Sequence, residues 1–490
     1  MTCCGCVIEI SVRALRALLT SIHVPSSLSF NQSIIFTVIS YAKGASIIRM
    51  LCHYIGGLEE FMKGMKLYLT RHQYGNTISE DFWTALSEIS GKPLVAFMKP
   101  WTNVIGFPLL QLKPDGTMTT NRFYASGSSD SEKDTGSEDK WPMPVTALVE
   151  GSNEVLGPWV IHGPEKDGSK EFLKQVQAWS AAGKWFKLNV GQYGFYRVNY
   201  TPEQWERLAA VMDPVNGPFS ATDRLGLISD SFASGKAGYA SIVNSLKLVK
   251  GFGEHTTAEY VVWQELSSNL SSLVSLYRSE AFFPKFQDYL KQLYAKQAEI
   301  LGWDTKATDS ARTGTLRATI LSMMGKAKDP AVIKEAHRRF MDLTNAESIE
   351  GLVPGDIQRV LFRLALMQDE AAVFQVLKTI LQEQNHKLSP ETQRDILIVM
   401  GCVQDSKRHS DMLDYLFFSG KVSSDAISGW RIERASVVLI LMPVYPNFVL
   451  LHYVLFLRSA TKMLPSRWAL YPRLVIRVDE QLGITSKEIT

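Results

Sequence analysis

The sequence predicts a mainly α-helical, multidomain protein with a β zone in its first half. Three observations carry this. The chain has 490 residues, a length suited to about three domains. Hydrophobic residues make up 46% and charged residues 21%, a globular balance that excludes disordered, collagen-like and many-pass membrane chains. The apolar spacing also changes along the chain, from helical period to strand alternation and back.

From Tyr41 to Trp101 the period is helical. Ile48, Leu51, Cys52 and Ile55 share one face, and Gly56-Gly57 ends that run. Phe61, Met65, Tyr68 and Leu69 form the next stripe. Ser79 is the expected N-cap of a third helix, with Glu80 and Asp81 in the favourable first turn. Phe82, Ala85, Leu86 and Ile89 face one way, and Gly91 stops the helix. Pro93 suits the first turn of a fourth, whose stripe is Leu94, Phe97, Met98 and Trp101.

From Phe107 to Tyr200 the pattern is β. Pro114-Asp115-Gly116 marks a turn. Phe186, Leu188 and Val190 alternate with Lys187 and Asn189, as in a half-buried strand. Ser126–Lys140 lacks apolar anchors and reads as a mobile surface loop. A small β-sandwich is the economical architecture. From Thr201 to about Phe418 helices return, for example Gln204–Val211, Ile242–Lys250 and Phe374–Gln384, and suggest a stacked superhelical array without a strict repeat.

Charge and cysteine content narrow the functional classes. The net charge of +3, from 52 basic and 49 acidic residues, offers no electrostatic case for a nucleic-acid partner. The five cysteines form no disulfide framework, which favours a reducing, cytoplasmic setting. Cys3, Cys4 and Cys6 lack the second ligand pair that a zinc site needs. Arg13 and Arg16 fall in the wrong place for a secretory signal. Ala435–Leu457 is an uncharged run long enough to span a bilayer. Pro443, Pro446, Asn447 and His452 interrupt it, so a membrane span is the lesser alternative.

Chemistry-bearing motifs are few. None of the nine histidines is followed by Glu, and no two lie four apart, so the zinc-protease helix motif is missing from the sequence. No GxSxG elbow, P-loop or GxGxxG is present either.

Several segments nevertheless resemble a known family. Ile39-Ser40-Tyr41-Ala42-Lys43-Gly44-Ala45-Ser46 and Ile48-Arg49-Met50-Leu51 resemble the stretch that follows the metal site in gluzincin zinc aminopeptidases, the membrane alanyl aminopeptidase family, in particular its puromycin-sensitive branch. The resemblance continues at Gly91-Lys92-Pro93, Met98, Trp101-Thr102, Gly106-Phe107-Pro108, Trp185–Asn189, Gly194–Arg197, Asp223–Leu227, Tyr260–Trp263, Leu301–Asp304 and Glu335–Phe340. It covers roughly residues 36–418 in the family's order.

The resemblance implies the last helices of a thermolysin-like catalytic domain over 36–106, a β-sandwich over 107–200 and a HEAT-like helical domain over 201–430. Unmatched segments would lie at 1–35 and 431–490. It implies peptide substrates and a zinc-activated water. However, HExxH and the GxMEN loop that binds the substrate amine are both missing from the sequence. The expectation is therefore a product shortened at both ends, or a faulty gene assembly, that binds no catalytic zinc and is inactive alone. A non-catalytic helical scaffold, or a membrane-associated protein held by 435–457, is the alternative.

One catalytic position is implied by the motif. Tyr41 matches the family tyrosine whose neutral phenol stabilises the tetrahedral oxyanion. Lys43, Gly44 and Arg49 would fix the helix beside it; more simply, Gly44 allows close packing near the helix start and Arg49 forms a surface or buried ion pair. Trp101, Phe107 and Trp303 are expected to be packing residues. Asp223 and Arg224 are expected to form an N-cap and a salt bridge. If partner helices are missing, Ile48, Leu51, Ile55, Phe61, Met65 and Phe82 should be partly exposed, and residues 36–101 should be the protease-sensitive part.

Overall fold

A computed structural model describes residues 42–127, 141–162, 167–254, 257, 259–344, 346–383, 387–408, 411–412 and 415. Tyr41, Cys3, Cys4, Cys6, the Ser128–Lys140 part of the polar loop and Ala435–Leu457 lie outside them. Residues 42–403 belong to one compact unit, and residues 404–415 belong to a second. In the latter, the Asp405 carboxylate accepts the Arg408 backbone N–H at 2.9 Å. Among the described residues, no helix is long and apolar enough to cross a membrane.

The chain is mainly helical, with two small sheets. Four helices come first: α1 (Gly44–Tyr54), α2 (Leu58–Arg71), α3 (Ser79–Ser90) and α4 (Leu94–Asn103). Gly56 and Gly57, at φ +115° and +106°, make the α1–α2 turn that residues with a Cβ disfavour. Gly91, at φ +66°, closes α3. Ser79 is the first helical residue of α3, not its cap. The cap position is Ile78, whose N–H is accepted by the Asp81 carboxylate at 2.9 Å.

The expected exposure of these stripes is not what the structure shows. Ile48, Leu51, Ile55, Phe61, Met65 and Phe82 are all buried, at 9% exposure or less. Each of α2, α3 and α4 packs on its predecessor, and Phe61, Tyr68 and Phe82 meet edge to face at 5.1–6.0 Å. Apolar side chains left in solvent include Leu58, Met62 and Leu69 of α2, Val95 of α4 and Ile89 of α3, which the helical period groups with the buried Phe82, Ala85 and Leu86.

The strands form two three-stranded sheets. In the first, β1 (Pro108–Leu112) runs antiparallel to β2 (Met118–Arg122) and parallel to β6 (Arg197–Asn199). In the second, β3 (Met143–Val149) lies between β4 (Leu156–Ile161) and β5 (Phe186–Leu188), antiparallel to both. Gly116, at φ +76°, makes the expected β1–β2 turn. Helix α5 (Asp167–Ala181) interrupts what the sequence reads as continuous β structure, and it packs on β4. Its buried Phe172 and Val176 lie four apart, a helical spacing.

Beyond Tyr200 the chain is helical: α6 (Pro202–Ala210), α7 (Ala221–Lys236), α8 (Ile242–Val249), α9 (Tyr260–Tyr277), α10 (Phe283–Leu301), α11 (Thr313–Lys326), α12 (Pro330–Leu343), α13 (Gly355–Gln368), α14 (Glu370–Glu383) and α15 (Pro390–Met400). Hydroxyl and carboxylate caps at Thr201, Ser220, Ser241, Asp329 and Ser389 start five of them. Neighbouring helices pack in pairs, and α7, α9, α11, α13 and α15 also pack one on the next.

Candidate functional site

Helix α1 begins three residues after Tyr41, and two cationic side chains fix its place. Lys43 donates to the carbonyls of Val104 and Gly106 at 3.4 and 3.2 Å. Burial, aided by Arg122, pulls its amine below the usual lysine range. Arg49 donates to the carbonyls of Gln192 and Gly191 at 2.9 and 3.0 Å. Its guanidinium also lies 4.7 Å from the centre of the Tyr193 ring. The expected ion pair at Arg49 is thus replaced by two backbone carbonyls, which match its planar fork. His53, one turn on, stacks on the same Tyr193 ring at 3.6 Å. Gly44 is buried within α1.

The loop that receives Arg49 is held in an uncommon conformation. Asn189, Gly191 and Gln192 all have positive φ, at 57°, 70° and 51°, a region that costs non-glycine residues energy. Hydrogen bonds hold it there. The Asn189 amide donates to Gln192 Oε1 at 2.7 Å and Gly194 O at 3.0 Å, and its Oδ1 accepts the Gly194 N–H at 2.8 Å. The Val190 N–H reaches the Thr146 hydroxyl at 2.9 Å. Gln192 lies against Gly226 of α7 so closely that a Cβ there would fall 1.4 Å from its amide nitrogen.

Beneath the loop lies a buried ion pair. Lys187 is fully buried, not on the solvent side of a half-exposed strand. Its Nζ meets Asp223 Oδ1 at 2.9 Å, Asn189 O at 2.7 Å and Leu188 O at 3.1 Å. Three acceptors match the three donors of an ammonium. Burial draws the Lys187 pKa down, and Asp223 opposes it. Burial pushes the Asp223 carboxyl up, but Lys187, the Ser220 hydroxyl and the Gly191 N–H together hold it below the usual range. Asp223 is therefore no plain N-cap. Ser220 is the cap, and Asp223 returns a bond to the Ser220 N–H while accepting the Gly191 N–H at 2.7 Å. A second buried carboxylate, Asp230, accepts from Arg197 at 3.0 Å and from the Val198 N–H at 3.1 Å. Arg224 makes the expected salt bridge, to Glu259, and also donates to the Phe219 carbonyl.

The aromatic residues behave as packing mass. Trp101 is fully buried, and its indole N–H donates to Pro142 O at 3.1 Å. Phe107 lies 5.5 and 5.3 Å from Phe123 and Phe195. Trp303 is half-buried under the Arg339 guanidinium. Sequence reasoning missed Lys187, Asn189, Gln192 and Asp230. The one available signal was the Gly191/Gly194 pair, which marks a tight loop.

Two outcomes follow for this junction. Arg49→Ala removes two charge-assisted bonds from an exposed side chain, so stability falls by about 1–2 kcal/mol and α1 amides exchange faster. Hydrogen exchange of α1 checks this, and unchanged protection counts against it. The His53 pKa is lowered in the fold by burial and by Arg49, whereas the unfolded chain titrates at about 6.5. The unfolded state then binds more protons, so stability falls as pH drops below about 6.5. Urea midpoints from pH 7.5 to 5 should fall more steeply for the unmodified chain than for His53→Gln.

Among the described residues, no group of three His, Cys, Asp or Glu side chains converges to hold a metal. They do not fit a catalytic zinc. What the site offers is a rigid, polar seat for α1.

Comparison with known proteins places this architecture. Residues 16–101 match the Peptidase family M1 domain, and residues 185–432 match the ERAP1-like C-terminal domain. The chain therefore belongs to the M1 zinc aminopeptidase family. It is 29% identical to "Aminopeptidase 2, mitochondrial" of Saccharomyces cerevisiae over 85% of this chain and 42% of that protein. It is 31% identical to "Aminopeptidase M1-A" of Oryza sativa over 80% of this chain and 44% of that protein. To the "Puromycin-sensitive aminopeptidase" of Caenorhabditis elegans it is 28% identical, over 79% of this chain and 40% of that protein. The chain thus spans less than half the length of these relatives.

Proposed function

We propose that this chain is a fragment of a puromycin-sensitive-like zinc aminopeptidase, and that it is inactive alone. The observation that carries the reading is the ordered pair of family matches, joined physically where Arg49 of the first meets Gly191 and Gln192 of the second. In this reading residues 36–106 are the end of a thermolysin-like catalytic domain. Residues 107–200 are a β-sandwich, and residues 201–430 are a HEAT-like domain. Two small sheets and the succession α7, α9, α11, α13 and α15 support the last two assignments.

Zinc in the complete enzyme supplies the activated water that removes N-terminal residues from peptides. This sequence contains no HExxH, so no step is assigned to the chain by itself. Tyr41 is proposed as the neutral donor to the oxyanion, on its place in the motif that leads into α1. The stacked helices also support a second, non-catalytic role as a binding surface. The cysteine usage supports a cytoplasmic site of action, and carbonate extraction would expose a span at 435–457. The test of function is hydrolysis of aminoacyl-arylamides with added zinc. The chain alone should not exceed the blank, and turnover above it overturns the reading.

A further inference from the structure

A small cavity lies where α5 meets strands of both sheets. Its wall is Leu110 of β1, Met118 and Thr120 of β2, Ile161 of β4, and Ser169 and Leu173 of α5. The periods of two elements build it. Met118 and Thr120 lie two apart and share one face of a strand. Ser169 and Leu173 lie four apart and share one face of a helix. Gln177, four further on, closes over Gly116 in the β1–β2 turn, where a Cβ would fall 3.0 Å from the Gln177 side chain. Leu110, Met118, Ile161 and Leu173 give the cavity apolar walls, and Ser169 and Thr120 bring the two hydroxyls. Ser169 is 1% exposed, and its Oγ has no hydrogen-bond partner among the described residues. Thr120 is 9% exposed, and no described residue bonds its hydroxyl.

We propose that this cavity is a binding site for one structural water, which bridges Ser169 Oγ to the Thr120 hydroxyl and so fastens α5 to β2. A buried hydroxyl without a partner costs the fold free energy. Ser234 and Ser245 carry orphaned hydroxyls as well, but Ser169 differs from them in lining this cavity. The room fits one water and little more. About 10 Å³ is open to the centre of a water molecule, close to the least that one molecule needs. Cavities with wholly apolar walls stay dry, whereas a water with two or more polar partners is held. A hydroxyl both donates and accepts, so either Ser169 or Thr120 can be the donor to the water and the other the acceptor from it. Helix α5 packs on β4, a strand of one sheet. The bridge to Thr120 is then its polar link to the other sheet.

A crystal structure of the full chain, at a resolution that shows ordered waters, tests the assignment directly. One density peak should stand within hydrogen-bond distance of both hydroxyls, and Ser169→Ala and Thr120→Val should each remove it. Urea unfolding gives an independent reading, because the two cases differ in sign. If Ser169 Oγ has no partner, Ser169→Ala relieves an unsatisfied group, and the urea midpoint rises or stays where it was. If a water bridges the pair, each single variant strips that water of a partner and lowers the midpoint. Thr120→Val nearly preserves side-chain shape, so its loss reports the hydroxyl. The double variant should then be no worse than the poorer single variant, since both break the same bridge. A cavity without the peak, a peak that survives either variant, a Ser169→Ala midpoint that fails to fall, or losses that simply add in the double variant each overturns the assignment.

Discussion

Asp223→Ala should lower the stability of this chain by about 3–5 kcal/mol, the cost of leaving a buried charge without its partner. Three losses coincide at that residue. Lys187, with no solvent exposure, keeps only the carbonyls of Leu188 and Asn189. The Gly191 N–H loses its acceptor at 2.7 Å. The Ser220 N–H loses its return bond at the start of α7. Burying both charges is itself expensive, so replacing the pair together (Lys187→Met with Asp223→Leu) should recover part of the loss. Urea midpoints of the two single variants and the double variant measure the coupling. A single-variant loss under about 1 kcal/mol would mean that the pair does not organise the junction.

Trp101→Ala should cost a similar amount, about 3–5 kcal/mol, by a different mechanism. Trp101 closes α4 with its ring fully buried, 6.5 Å from Trp141, and its indole binds the Pro142 carbonyl just before β3. Truncation removes a large apolar group, leaves a cavity and orphans that carbonyl. Trp101→Phe fills much of the space but still loses the hydrogen bond, so it should cost markedly less than Ala. Thermal or urea unfolding of both variants separates volume from bonding. Equal losses would assign the whole effect to the hydrogen bond.

The first four helices were legible in sequence because their stripes obey the helical period and glycines punctuate them. Even there, the burial of Ile48 or Phe61 was misjudged, since period shows which side chains share a face but not what covers that face. Lys187 was illegible for a related reason. A charged residue in an alternating strand reads as solvent-facing, and only the fold brings Asp223, 36 positions later in the sequence, to neutralise it. Arg49 shows the same limit. A guanidinium suggests a carboxylate, but the carbonyls it binds become available only because Asn189 and Gln192 adopt left-handed backbone. Helix α5 did carry a signal, in Phe172, Leu173, Val176 and Trp179, which the flanking strands obscured. Conversely, Tyr41 was singled out by its motif, and the contacts of Lys43 and Arg49 show how the helix that follows it is anchored.

This chain belongs to an aminopeptidase family, yet its sequence lacks the family's metal-binding motif. Zinc content after exhaustive dialysis tests that most directly. We expect far less than one equivalent per chain, with no tightly held fraction. One zinc retained per chain, lost together with unfolding, would contradict it.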